Sequence, residues 1–233
     1  MRTPRVGESN IARARWPPIR NSSARGSVVL TRTVSRAAIS GCISEVDLGD
    51  VAILRRLLAA SAVAFSVLYL LSDLIELGQG GFSSLQLWLT YVAEAAIPLL
   101  VIGLYAAQRP NIGRIGLLGA LGYACAYIFF TSTVVYALVD NVGDWSQLTD
   151  RFGAWITIHG AVMVFAGIAF GVAVIRAGVL PRWTGICLVA GVLLVAISSG
   201  LPDVVQTAAA GVRDLAFAGM GVALLRASQR TAR

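Results

Sequence analysis

Six ionisable residues lie within or at the edge of long apolar runs: Asp73, Glu76, Glu94, His159, Arg213 and Asp214. A charge in hydrocarbon is costly. Such residues face a bundle interior, pair with one another, or line a route for ions, protons or polar solutes. Ser66, Tyr69, Asp73 and Glu76 follow one another at spacings of three, four and three, which places all four on one helical face. Depth groups the rest. Counted from the acid-flanked end of each run at 1.5 Å per residue, Glu94 is about 14 Å in, His159 about 10 Å, and Arg213 with Asp214 about 9–11 Å. Thr131, Ser132 and Thr133 stand at a similar level in the run between them.

The chemistry these residues offer is charge pairing and proton or polar-solute binding. Glu94 and Arg213 are the expected ion pair, with Asp73 the competing partner for Arg213. Adjacent helical residues point roughly 100° apart, so Asp214 is expected to face another neighbour or the aqueous mouth. Pro98 follows Glu94 by four residues. It cannot bond to the Glu94 carbonyl, and its ring crowds that group, so the helix should kink there. Three readings of the cluster follow. It is a wet pocket for a small solute or protons, open to the acidic side. It is structural glue in an accessory or sensor subunit that binds another membrane protein or a second copy. Or Glu94 or His159 is a general base in a membrane enzyme, which requires the two to converge. One histidine is too few for a metal site, and no phosphate loop, zinc helix or serine elbow is present. No catalytic, cofactor-binding or metal-binding residue is assigned.

The elements that must position these residues are set by composition. Of 233 residues, 57% are hydrophobic and 13% charged, and the mean hydropathy is +0.75. Soluble domains carry roughly 25% charged residues. The chain is therefore expected to be an all-α polytopic membrane protein whose first partner is the lipid bilayer. Six apolar runs stand out: Leu57–Leu77, Leu85–Ala107, Ile115–Val139, Phe152–Ile175, Trp183–Leu201 and Thr207–Leu225. The last is the weakest, being rich in Ala and Gly and carrying two charges.

Direction follows from arginine. Arg55, Arg56, Arg109, Arg114, Arg176, Arg182, Arg226, Arg230 and Arg233 flank one set of run ends; Asp73, Glu76, Asp140, Asp144, Asp150 and Asp203 flank the other, with Arg151 alone among them. Basic loops stay cytoplasmic, so both termini are expected in the cytoplasm and the protein in the cell (inner) membrane. Trp88, Tyr136 and Trp155 fall near the outer interface, Tyr105 and Trp183 near the inner one, where amphipathic rings are favoured. The net charge of +7 comes wholly from arginine. It is read as this topology signal and a solvated tail, not as a nucleic-acid surface.

Small residues should pack the helices. Gly167 and Gly171, Gly116 with Ala120 and Ala124, Gly122 with Ala126, and Gly219 with Ala223 recur at the required spacings. Arg114 and Arg182 each precede two glycines at the start of a run, a faint echo of a duplicated hairpin that topology alone also produces.

Residues 1–50 form a separate Arg- and Ser-rich zone, expected to be a disordered cytoplasmic tail. Ile39-Ser40-Gly41-Cys42 matches a lipoprotein cleavage box, but Arg32 and Arg36 interrupt the apolar stretch it needs. A transit peptide and a translation start near Val46 are the other readings of this zone. Residues 51–228 form the transmembrane domain and 229–233 a cytoplasmic tail. Cys42, Cys125 and Cys187 have no metal or redox spacing.

The phrase from Arg176 through Pro181, Arg182, Trp183 and Gly185 to Gly191, together with the stretch from Val212 to Gly221, resembles a family of small six-span actinobacterial inner-membrane proteins of unknown function. The resemblance covers roughly residues 53–228. It implies an inner-membrane six-helix bundle and brings no catalytic residues with it.

Overall fold

The structure, a computed structural model, describes residues 48–231. The cleavage-box match at Cys42 and the other readings of the N-terminal zone fall on residues 1–47, outside the described residues. Seven helices and no strand are present among the described residues: α1 (Leu48–Gln79), α2 (Ser84–Ala107), α3 (Gly113–Asp140), α4 (Trp145–Phe152), α5 (Ala154–Ala177), α6 (Arg182–Ser198) and α7 (Asp203–Thr231). α1 packs on α2, α2 on α3, α3 on α5, α5 on α6, α6 on α7, and α7 back on α1. Six helices thus close a ring, and the short α4 stands outside it against α5.

The exterior is apolar. Leu99, Phe165, Val139, Ile197 and Leu118 are each at least 70% exposed, the reverse of a protein built for water. Among the described residues, five helices are long and apolar enough to cross a membrane: α1, α2, α3, α5 and α7. α6 has 17 residues and reaches about 26 Å, short of a hydrocarbon core of roughly 30 Å. The run read as Trp183–Leu201 ends early because Gly200 takes a left-handed turn, φ +87°, ahead of Pro202. α7, the weakest run by composition, is long enough because it begins at Asp203, and half of its apolar window is buried, more than in any other of the five. Its small residues suit a helix that faces its neighbours.

The fourth run also needs correction. It was expected to start at Phe152, but Phe152 ends the separate helix α4, and Gly153 at φ +51° breaks the chain before α5 begins. α4 is amphipathic: Leu148 is buried, whereas Trp145 is 46% exposed. Pro98 lies inside α2, which runs through it unbroken.

Small residues hold the ring closed, as their spacing suggested. A Cβ on Gly167 would lie 2.8 Å from Val192 and 3.0 Å from Tyr123, and one on Gly171 would lie 2.9 Å from the Gly185 carbonyl. Of the α3 glycines, Gly119 meets α5 most closely: a Cβ there would lie 2.5 Å from the Phe170 backbone nitrogen. Two connections meet at one end of the ring, where the Phe82 amide donates to the Gly143 carbonyl at 2.9 Å. Glu76 and Asp203 interact at that same end, so the acidic residues gather there.

Asp144 caps α4. Its carboxylate accepts from the Gln147 amide at 2.9 Å and from the Ser146 hydroxyl at 2.7 Å. These bonds, the Gln147 amide first, hold its carboxyl below the usual aspartate range. A group lowered in this way stabilises the folded form above its ordinary titration range and loses that effect as pH falls through its lowered value. Hydrogen-exchange protection of the Gln147 and Leu148 amides, corrected for intrinsic rate, should therefore drop as pH falls through the acidic range. Asp144→Ala should show low protection at every pH; protection that ignores both changes would refute the capping role.

Candidate functional site

Two helical stripes face each other across α1 and α2. Tyr69, Ser72 and Glu76 on α1 meet Glu94, Thr90 and Gln86 on α2, whose positions recur every fourth residue and so share one face. Tyr69 donates its hydroxyl proton to Glu94 Oε1 at 2.8 Å. One turn nearer the acidic end, Ser72 and Thr90 hydroxyls lie 2.5 Å apart. Beyond them Gln86 Nε2 donates to Glu76 Oε2 at 2.9 Å and to Thr90 at 3.1 Å. The result is a ladder of polar rungs running inward from the acidic end.

α7 closes the deep end of this ladder. Arg213 is 5% exposed and Asp214 6%. The guanidinium carbon stands 4.7 Å from the centre of the Tyr69 ring and 6.0 Å from that of Tyr127, within cation–π range. Gly191 on α6 permits this placement: a Cβ there would lie 2.6 Å from the Arg213 Cα and N. Any larger residue would push the α7 backbone away from the ring centre.

The ion pair differs from the one expected. Arg213 Nε donates to Asp214 Oδ1 at 3.1 Å, and Nη2 lies 3.1 Å from the same oxygen. This is the one salt bridge among the described residues. The Cβ directions of neighbouring residues do diverge, but the arginine arm is long enough to fold back along its own helix. With the guanidinium held beneath Tyr69, the adjacent carboxylate is the anion in reach. The phenol of Tyr69 then takes the place beside Glu94 that Arg213 was expected to fill. An arginine at the centre of a membrane helix costs about 2.5–3.5 kcal/mol; a desolvated cation–π contact returns about 2 kcal/mol, and Asp214 neutralises the charge.

The structure brings Glu94, Arg213 and Asp214 together with Tyr69. Asp73 is half-buried and within electrostatic reach of Arg213, Asp214, Glu76 and Glu94. Glu76 belongs to the outer rung. His159 is placed elsewhere: its ring stacks on Phe129 at 3.8 Å, and Nδ1 lies 2.9 Å from the Trp155 carbonyl. The convergence of Glu94 and His159 that a general-base enzyme requires is therefore not found among the described residues. Thr131, Ser132 and Thr133 bond to carbonyls of their own helix and take no part.

Tyr123 and Tyr127 were not singled out by sequence, yet both are buried at the ring centre, with ring centroids 5.1 Å apart. Their i, i+4 spacing was the available signal. Four buried polar atoms here have neither a hydrogen bond nor an ion-pair partner: Glu94 Oε2, Tyr123 Oη, Tyr127 Oη and Asp214 Oδ2.

Comparison with protein-family models, curated proteins and solved structures finds no match.

If Asp214 is the partner of Arg213, each single change strands a buried charge, which typically costs 3–5 kcal/mol. Arg213→Gln and Asp214→Asn should each lower folded abundance sharply, and the double variant should recover much of the loss. The cycle pairing Arg213→Gln with Glu94→Gln should show the smaller coupling. Thermal unfolding in detergent measures both cycles, and a larger coupling to Glu94 would reverse the assignment.

Proposed function

We propose that this chain is a six-span protein of the cell (inner) membrane, with both termini in the cytoplasm, and that its buried cluster binds or passes a small polar solute or protons. The observation that carries the functional part is the set of four unpartnered polar atoms on three helices. A native interior leaves few such atoms, and each one asks for a water, an ion or a ligand. Leaving one without a partner costs roughly 1–3 kcal/mol, which supports an occupant at this cluster. The arginines at one set of helix ends and the carboxylates at the other support the orientation. α6 completes the sixth crossing in this reading, its short length made up by the polar loop after Ser198.

A second reading has one observation in its favour. Arg213 is neutralised within its own helix, as the intramembrane charge of a non-catalytic accessory or sensor subunit would need to be. Such a subunit would present its apolar exterior to a membrane-protein partner or a second copy.

Orientation is tested by cysteine labelling in a background lacking Cys42, Cys125 and Cys187. A cysteine between residues 140 and 151 should react with an impermeant thiol reagent added to intact cells, and one between 109 and 114 should not; the opposite pattern defeats the topology. Function is tested in lipid vesicles holding a pH dye. Under an imposed pH gradient the purified protein should speed the dye response above that of empty vesicles, and Glu94→Gln should abolish the difference. Vesicles indistinguishable from empty ones would favour the accessory reading.

A further inference from the structure

Building on the proposed binding role, we infer that the occupant of the cluster is a proton, held on Glu94 and exchanged with the acidic end of the ring through Asp73. Three observations lead there. The first is space. Gly191 seats the α7 backbone directly against α6 at Arg213, and Tyr123 and Tyr127 are at most 1% exposed. A proton needs no cavity; a solute of several heavy atoms does.

The second is charge. Glu94, Asp214 and Asp73 are all within electrostatic reach of the Arg213 guanidinium, and its ion pair goes to Asp214. Glu94 has one hydrogen bond, from Tyr69, and a bare second oxygen. The groups facing Glu94 are Tyr69 and Asp73 on α1, Tyr127 on α3 and Arg213 on α7. Only Arg213 is cationic, and it is already engaged. A proton on Oε2 neutralises the carboxylate.

The third is a graded route. Asp203 is exposed, Glu76 and Asp73 are half-buried, and Glu94 is buried. Asp73 lies three residues from Glu76 and four from Tyr69 on one face of α1, and Tyr69 bonds to Glu94. A hydronium at the Asp203 end gives up one O–H bond as Asp73 gains one, leaving water. Asp73 then passes that proton to Glu94 and returns to carboxylate. No electron changes owner.

Infrared spectroscopy of the full chain in lipid bilayers tests this. Near neutral pH the protein should show the carbonyl band of a protonated carboxylic acid. The band should shift when glutamate is isotope-labelled, persist in Glu76→Gln and vanish in Glu94→Gln. In Asp73→Asn it should remain but exchange severalfold more slowly with deuterium. The idea fails if the wild type has no such band, if the glutamate label leaves it in place, or if a folded Glu94→Gln keeps it. Should Glu94→Gln not fold, the label combined with Glu76→Gln still decides. Exchange unchanged in Asp73→Asn removes Asp73 from the route. A band without vesicle flux overturns transport and keeps the bound proton; flux without the band does the reverse.

Discussion

Tyr69 is held from both sides. Its hydroxyl is committed to Glu94 on α2, and its ring face to Arg213 on α7. One side chain of α1 therefore links three helices, and it does so between groups that hydrocarbon would otherwise reject. Inside lipid the hydrophobic effect does not draw helices together, so van der Waals packing and polar contacts carry that task. The register of α1 against α2 follows from this contact, since Ser72 and Glu76 then fall opposite Thr90 and Gln86. The closing of α7 onto α1 follows too. Two turns further along α7, a Cβ on Gly221 would lie 2.6 Å from the Ala59 carbonyl, so the contact between the two helices continues beyond Arg213.

The close approaches at Gly119, Gly171 and Gly191 do a second job. They bring backbones near enough for short side chains to fill the ring, leaving the large rings of Tyr123, Tyr127 and Phe217 for the centre. The large aliphatic residues that a soluble core would bury are spent on the exterior instead. Lipid solvates them at no cost, which frees the interior for groups that need protein around them.

Helix content and the identity of the polar face were legible in the sequence because both rest on period and composition. Tyr69, Asp73 and Glu76 share a face by spacing alone. The end of α6 and the break at Gly153 were less legible, since each depends on one glycine adopting positive φ within an apolar stretch. Hydropathy averaged over twenty residues passes over such a point. The Arg213–Asp214 pair was misjudged for a different reason. Helical geometry fixes Cβ directions but not the path of a four-bond arm, and that path was decided by an aromatic ring on another helix. Tyr123 and Tyr127 were missed because a tyrosine in an apolar run is ordinary there, and only the ring closure turns both inward.

A helix of 17 residues set among neighbours of 24 to 32 makes a step in the apolar belt. Acyl chains lying against that step must shorten, or headgroups and water must sink to meet the turn at Gly200. Either distortion costs only fractions of a kcal/mol per ångström, so it is readily sustained. It falls beside Asp203, where α7 begins. The bilayer would be dimpled at that one place on the protein's rim, and membranes of different thickness would set how far the aqueous phase dips toward the carboxylates within.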